Sequence, residues 1–213
     1  MGQEHPYNEE TLLSAARQGD MDAFNQIVLA YQDQVFNVAY RIVLDEDAAS
    51  DAAQNAFIAA YRKLHSFQGG SFRAWLLRIT TNLCLDELRR LKRHPAQPLE
   101  PTDAQGEEEM ENARWLADPQ ASPEERVMQR ELENAVRHCV EELPADFRTV
   151  VVLVDMQGMD YEETASAVGK PLGTVKSRLA RARERLQDCL RGFGELLPSA
   201  FRLKGEGRND STA

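Results

Sequence analysis

Cysteine and histidine are scarce in this chain. Three cysteines and four histidines are spread over 213 residues. Cys84, Cys139 and Cys189 show neither CxxC nor metal-ligand spacing, and an odd count argues against a disulfide framework. Reduced thiols in a cytoplasmic protein fit best. His5, His65, His94 and His138 are equally dispersed, so no metal site, cofactor or catalytic triad is expected. There is no apolar run of membrane length, and the polar N-terminal residues do not resemble a signal peptide. GKPLGT lacks the spacing of a phosphate-binding loop. The adjacent Glu162 and Glu163 point apart on a helix and make a poor acid–base pair. These absences argue against an enzyme.

Basic charge is also scarce overall, with 25 Lys and Arg against 35 Asp and Glu. The cations that are present gather in one place. Residues 170–191 hold seven Lys or Arg against Glu184 and Asp188. Residues 94–123 show the reverse, with seven Asp or Glu against Arg114. A net charge of −10 therefore averages a cationic face and an acidic segment, a pattern suited to a nucleic-acid surface.

Helical periodicity dominates the rest. Asn8 is placed to cap a helix over Glu9–Gln18, which Gly19-Asp20 breaks. From Met21 to Val43, Phe24, Ile27, Val28, Tyr31, Val35, Phe36, Val38, Ala39 and Ile42 recur at steps of three and four. Asp45 opens a third helix, and Ser71, after Gly69-Gly70, opens a fourth that reaches about Arg93. The expected architecture is all-α, with a first helical domain over residues 1–93. Residues 94–122 have linker composition, acidic and Pro-containing, with too little apolar area to offset ordering, so a flexible linker is expected. Ser122, Pro123 and Glu125 read as a cap and capping box that restart helix. A second domain follows over 123–192, then a tail over 193–213. Val150–Val154 is ambiguous between strand and helix. Helix is preferred, because no second strand is available to pair with it.

The last two helices of the second domain carry the chemistry. Asp160-x-x-Glu163 is a capping box, Gly169-Lys170-Pro171 a tight turn, and a basic helix follows: a helix-turn-helix pattern. Val175, Leu179, Ala182 and Leu186 form its buried stripe. Lys176, Ser177, Ala180 and Arg181 lie off that stripe, where a major groove would meet them. Arg178, Arg183 and Arg185 lie around the sides, suited to phosphate. Like-charge pairs such as Arg181 with Arg185 make intrinsic helix stability a poor reason for this composition.

LPADFRTVVVLVDMQGMDYEETASAVGKPLGTVKSRLARARERL resembles region 4 of bacterial sigma factors of the extracytoplasmic-function group. DMDAFNQIVLAYQDQVFNVAYRIV, DAAQNAFIAAYRKLHSF and GGSFRAWLLRITTNLCLDELRRLKR resemble region 2 of the same family. The order and the intervening linker also agree.

The resemblance implies a protein that binds core RNA polymerase through its β′ and β subunits, reads promoter DNA and answers to an anti-sigma factor. It implies that region 4 reads the −35 element with Lys176, Ser177, Arg178, Arg181 and Arg183. Region 2 would read the −10 element with Phe67, Arg78, Asn82, Arg89 and Arg90, aided by the His65–Ser71 loop. Phe72 and Trp75, spaced with Ile79 as a core face, suit packing better than stacking. Asp51, Gln54 and Asn55 match the family's polymerase-docking pattern, with Asn55 in place of the usual Glu. The acidic linker would thread toward the polymerase cleft. A dimeric helix-turn-helix regulator of an operator is the competing reading.

Overall fold

The computed structural model describes residues 9–93 and 123–194. Asn8, the acidic segment 94–122, the Ser122 capping box and the tail from residue 195 lie outside the described residues. The elements are α1 (Glu9–Arg17), α2 (Met21–Val43), α3 (Glu46–Lys63), α4 (Phe72–Arg93), α5 (Pro123–Glu141), α6 (Ala145–Val151), α7 (Tyr161–Val168) and α8 (Leu172–Arg191). A 3₁₀ turn, Leu64–Ser66, follows α3. Helix also continues past α6 as a π turn over Val152–Met156, so the ambiguous valine run is helical. No strand occurs among the described residues.

Local chemistry sets the helix ends. Asp20 caps α2, its carboxylate accepting from Asp22 N and Ala23 N at 2.9 and 3.0 Å. Asp45 does the same for α3 through Ala48 N at 2.8 Å. Ser71 Oγ accepts from Ala74 N at 3.1 Å at the head of α4. Both halves of the Asp160–Glu163 capping box form at α7. Gly169, at φ 62°, ends α7 in the left-handed conformation that glycine tolerates best.

The described chain forms two compact units. One comprises α1 to α4 together with α6, α7 and α8 through Arg183. Its core joins Phe24, Ile27 and Val35 of α2, Ala56 and Ala60 of α3, and Phe72 and Leu76 of α4. The alanine face of α3 (Ala49, Ala52, Ala53, Ala56, Ala60) lets it lie close to its neighbours. Helix α6 packs on α2, and α7 packs on α4. These packing units differ from the two stretches 1–93 and 123–192 that composition suggested, because α6 and α7 lay their faces on the first helices.

Arg148 of α6 fixes part of this arrangement. Its guanidinium is buried and donates to Ile42 O at 2.8 Å and Leu143 O at 2.9 Å. Ile42 lies in the last turn of α2, where carbonyls lack helical partners. Charge-assisted bonds to them offset the cost of burying the cation.

The other unit holds α5 and α8 from Glu184. It corrects the reading of the cysteines. Cys139 and Cys189 form a disulfide, with Cα atoms 5.7 Å apart and a sequence separation of 50. Spacing could not reveal it, because the fold rather than the chain brings the two together. Cys84 is free and buried.

Candidate nucleic-acid interface

Helix α8 presents its cations as its stripe requires. Val175, Leu179 and Ala182 are buried. Lys176, Ser177, Ala180 and Arg181 are exposed together on the opposite side. The Ser177 hydroxyl donates to Thr174 O at 3.0 Å. The Lys176 ammonium sits 5.7 Å from the centre of the Tyr161 ring, a cation–π contact from the first residue of α7. No ion pair holds Arg181 among the described residues.

Arg178 and Arg183 differ from Arg181 in this respect. Arg178 meets Asp146 at 2.5 Å. Arg183 is gripped bidentately by Asp155, at 2.5 and 3.1 Å, and this hydrogen bonding raises the guanidinium's pKa further. Two of the three cations expected on phosphate are thus held by carboxylates of the neighbouring α6 and π turn. Sequence reasoning missed Asp146 and Asp155. They lie 32 and 28 residues from their partners, beyond any helical period.

The candidate −10 residues divide. Arg78 and Asn82 are exposed one turn apart on α4, and Asn82 Nδ2 donates to Arg78 O at 2.9 Å. Arg89 and Arg90 are exposed near the end of α4, each paired at i−3, with Asp86 at 2.5 Å and Glu87 at 2.6 Å. Exposed pairs of this kind contribute about 0–1 kcal/mol and yield readily to phosphate.

Phe67 lies elsewhere. It is 7% exposed. Its ring packs at 5.6 Å on Phe72 and 5.4 Å on Trp75, with Arg17 over it at 5.4 Å. Phe72 is buried, as its spacing indicated, and Trp75 is partly so. Phe67 shares that aromatic cluster, which a stacking residue would have to leave.

A pocket of about 440 Å³ opens beside it. Its walls include Phe67 and Gly69 from the loop before α4, Trp75 and Arg78 from α4, and Glu162 and Ser166 from α7. Arg78 donates to Ser166 Oγ at 3.2 Å. Arg73 donates to Gln157 O at 2.6 Å and to Gln157 Oε1 at 2.9 Å. The helix-turn-helix therefore rests on the surface that holds the candidate −10 residues.

On α3, Asp51, Gln54 and Asn55 are exposed at i, i+3 and i+4. Gln54 also borders a second groove, between α2 and α3, lined by Met21, Phe24, Val28, Phe57 and Ile58. Met21 and Ile58 are among the exposed large apolar side chains. No group of residues able to hold a metal occurs among the described residues.

A basic helix-turn-helix and a separate cation-bearing helix in one chain define a helical protein with two candidate nucleic-acid surfaces. Residues 27–94 match sigma-70 region 2, and residues 133–186 match sigma-70 region 4. The RNA polymerase sigma-H factor of Pseudomonas aeruginosa is 37% identical over 183 residues, covering 85% of this chain and 93% of that protein. The ECF RNA polymerase sigma-E factor of Escherichia coli is 37% identical over 181 residues, covering 84% and 93%. Among solved structures, CnrH in complex with the cytosolic domain of CnrY is 26% identical, with a TM-score of 0.57 over 86% of this chain and 97% of that one. The sigma factor RpoE of Bartonella quintana, in complex with the anti-sigma factor NepR, is 25% identical, with a TM-score of 0.56 over 78% and 96%. This chain belongs to the sigma-70 family, in its extracytoplasmic-function group.

Proposed function

We propose that this chain binds core RNA polymerase and directs it to promoters, reading the −35 element with α8 and the −10 element with α4 and the loop before it. One observation carries the reading: region 2 and region 4 occur in that order in a chain 37% identical to named polymerase sigma factors along 93% of their length. The protein acts by binding rather than catalysis, and its place is the cytoplasm with the polymerase. No helix among the described residues is long and apolar enough to cross a membrane. Residues 1–93 and 123–192 serve as the working domains, joined by residues 94–122. Asp51, Gln54 and Asn55 dock on the polymerase β′ subunit. The α2–α3 groove offers apolar area to an anti-sigma partner, as the similar sigma factor RpoE was solved with an anti-sigma factor. In vitro transcription with core polymerase, with and without this chain, tests the reading on genomic fragments. A dimeric operator-binding regulator would instead protect palindromic DNA without polymerase.

Within α8 the roles separate. Arg181 reads a base and Arg183 holds phosphate. A bidentate base contact is worth about 1–3 kcal/mol of discrimination. Arg181→Ala should therefore relax preference at one or two −35 positions, whereas Arg183→Ala should weaken all sequences alike and lower the salt slope by about one. Holoenzyme binding across single-base variants at several salt concentrations reads both effects. A uniform loss from Arg181→Ala would move it to the phosphate set.

The carboxylate partners give an independent test. Asp155 competes with DNA for Arg183 and adds negative charge beside the backbone. Asp155→Asn should raise affinity for unrelated duplex several-fold, because Arg183 no longer has to leave a carboxylate to hold its phosphate. An unchanged affinity would show that Arg183 does not reach DNA.

A further inference from the structure

The proposed function leaves one reactive pair unused. Cys139 lies near the C-terminal end of α5 and Cys189 near that of α8, 50 residues apart in sequence and 5.7 Å apart at Cα. Cys139 is 1% exposed, and Cys189 is half-buried. One cysteine is therefore enclosed and the other stands at the solvent edge. Cys84 is unlike either: it is free and fully buried, and burial pushes its thiol up to about 12. Thiolate is the reactive form, so Cys84 is inert, whereas Cys139 and Cys189 lie close enough to be joined. A protein that works on polymerase meets a reducing cytoplasm, where protein disulfides are mostly transient and redox-responsive.

We infer that Cys139 and Cys189 form a reversible modification site, at which a peroxide writes and a dithiol erases a cross-link fastening α5 to the recognition helix. The inference rests on the sigma-factor reading for its functional consequence, though not for its chemistry. The Cys189 thiolate attacks the peroxide oxygen, the O–O bond breaks, and water leaves after protonation. The product is a sulfenic acid at Cys189. The Cys139 sulfur then attacks that sulfur, the S–O bond breaks, and a second water leaves. Two thiols and one peroxide thus give one disulfide and two waters. Reduction runs by exchange: an external thiolate attacks the half-buried Cys189 sulfur and releases the Cys139 thiol. The second thiol of the same reductant then resolves the mixed disulfide, and both cysteines return to thiols.

The consequence follows from position. Arg181 lies eight residues before Cys189 on the same helix, about 12 Å along its axis. Fastening that helix to α5 removes freedom that DNA binding would otherwise have to remove, so the oxidised form should bind more tightly. The cross-link also closes a loop in the unfolded chain, so the same form should melt later.

The experiment uses the full chain. It is reduced with dithiothreitol, freed of reductant and titrated with hydrogen peroxide. Remaining thiols are alkylated under denaturing conditions and mapped by mass spectrometry. The expected result is a peptide linked through Cys139 and Cys189, with Cys84 still alkylated. The linked form should melt at least about 5 °C higher. As holoenzyme it should bind a −35-containing promoter about three- to tenfold more tightly. Dithiothreitol should reverse both effects. Cys189→Ser should abolish them, and Cys139→Ala, as a second variant, separates that loss from an effect of either substitution on stability. Peroxide that leaves both cysteines alkylatable overturns the site. A linked form with unchanged promoter affinity overturns its regulatory role. A linked, later-melting form in a chain that never supports transcription upholds the site and sinks the sigma-factor reading instead.

Discussion

A cross-link that holds α7 against α4 should silence transcription. Arg78 and Ser166 are in hydrogen-bond contact at 3.2 Å, which places the helix-turn-helix on the proposed −10 surface. Elements named for positions −35 and −10 lie about 25 base pairs apart, roughly 85 Å at 3.4 Å per step. A unit of this size has a radius of gyration of about 14 Å, so it is roughly 40 Å across. It cannot reach both elements as packed, and α7 must leave α4 before both can be read.

The contacts suit such a departure, since several are exposed or half-exposed polar bonds that water can replace. In a Cys139→Ala, Cys189→Ala background, Arg78→Cys and Ser166→Cys joined by a short bis-maleimide should lower promoter-specific transcription by about 100-fold or more, because a locked state is beyond the reach of mass action. The same protein with each thiol capped separately controls for loss of the Arg78 side chain. Equal transcription from linked and capped proteins would show that opening is unnecessary.

The helices were legible because each carries its own signals. The apolar steps of α2, the Asp160–Glu163 box and the Gly169 turn all operate within one or two turns, and the structure realises each of them. The stripe of α8 likewise predicted which cations face outward. Relations that depend on the assembled fold were not legible. The Cys139–Cys189 bond spans 50 residues, and the Arg148 bond to Ile42 O spans 106. Nothing in local spacing marks such partners. Phe67 shows a related limit: a loop aromatic beside two glycines has the composition of a stacking residue, yet the ring packs on both Phe72 and Trp75. Composition indicates what a side chain can do, whereas burial decides what remains available to do it.

Reversing charge on α3 should separate the chain from polymerase without unfolding it. Asp51, Gln54 and Asn55 share one exposed face, while Ala49, Ala52, Ala53 and Ala56 of the same helix carry the packing. Asp51→Arg with Gln54→Ala leaves that alanine face untouched, so the melting temperature should hold. A charge that matched the partner would now oppose it, and a repulsive element discriminates more strongly than a lost attraction. Disrupting a buried interfacial charge pair costs about 2–5 kcal/mol, which corresponds to at least 30-fold weaker binding to core polymerase. Titration of labelled protein with core enzyme measures the change. Unchanged affinity would remove this face from the docking surface. Asn55 supplies the opposite test on the same helix. The family pattern has Glu there, so Asn55→Glu should restore a charge and tighten docking a few-fold, chiefly at low salt. Tightening that persisted undiminished at high salt would mean that the gain comes from shape rather than charge, and that the electrostatic account of this face is wrong.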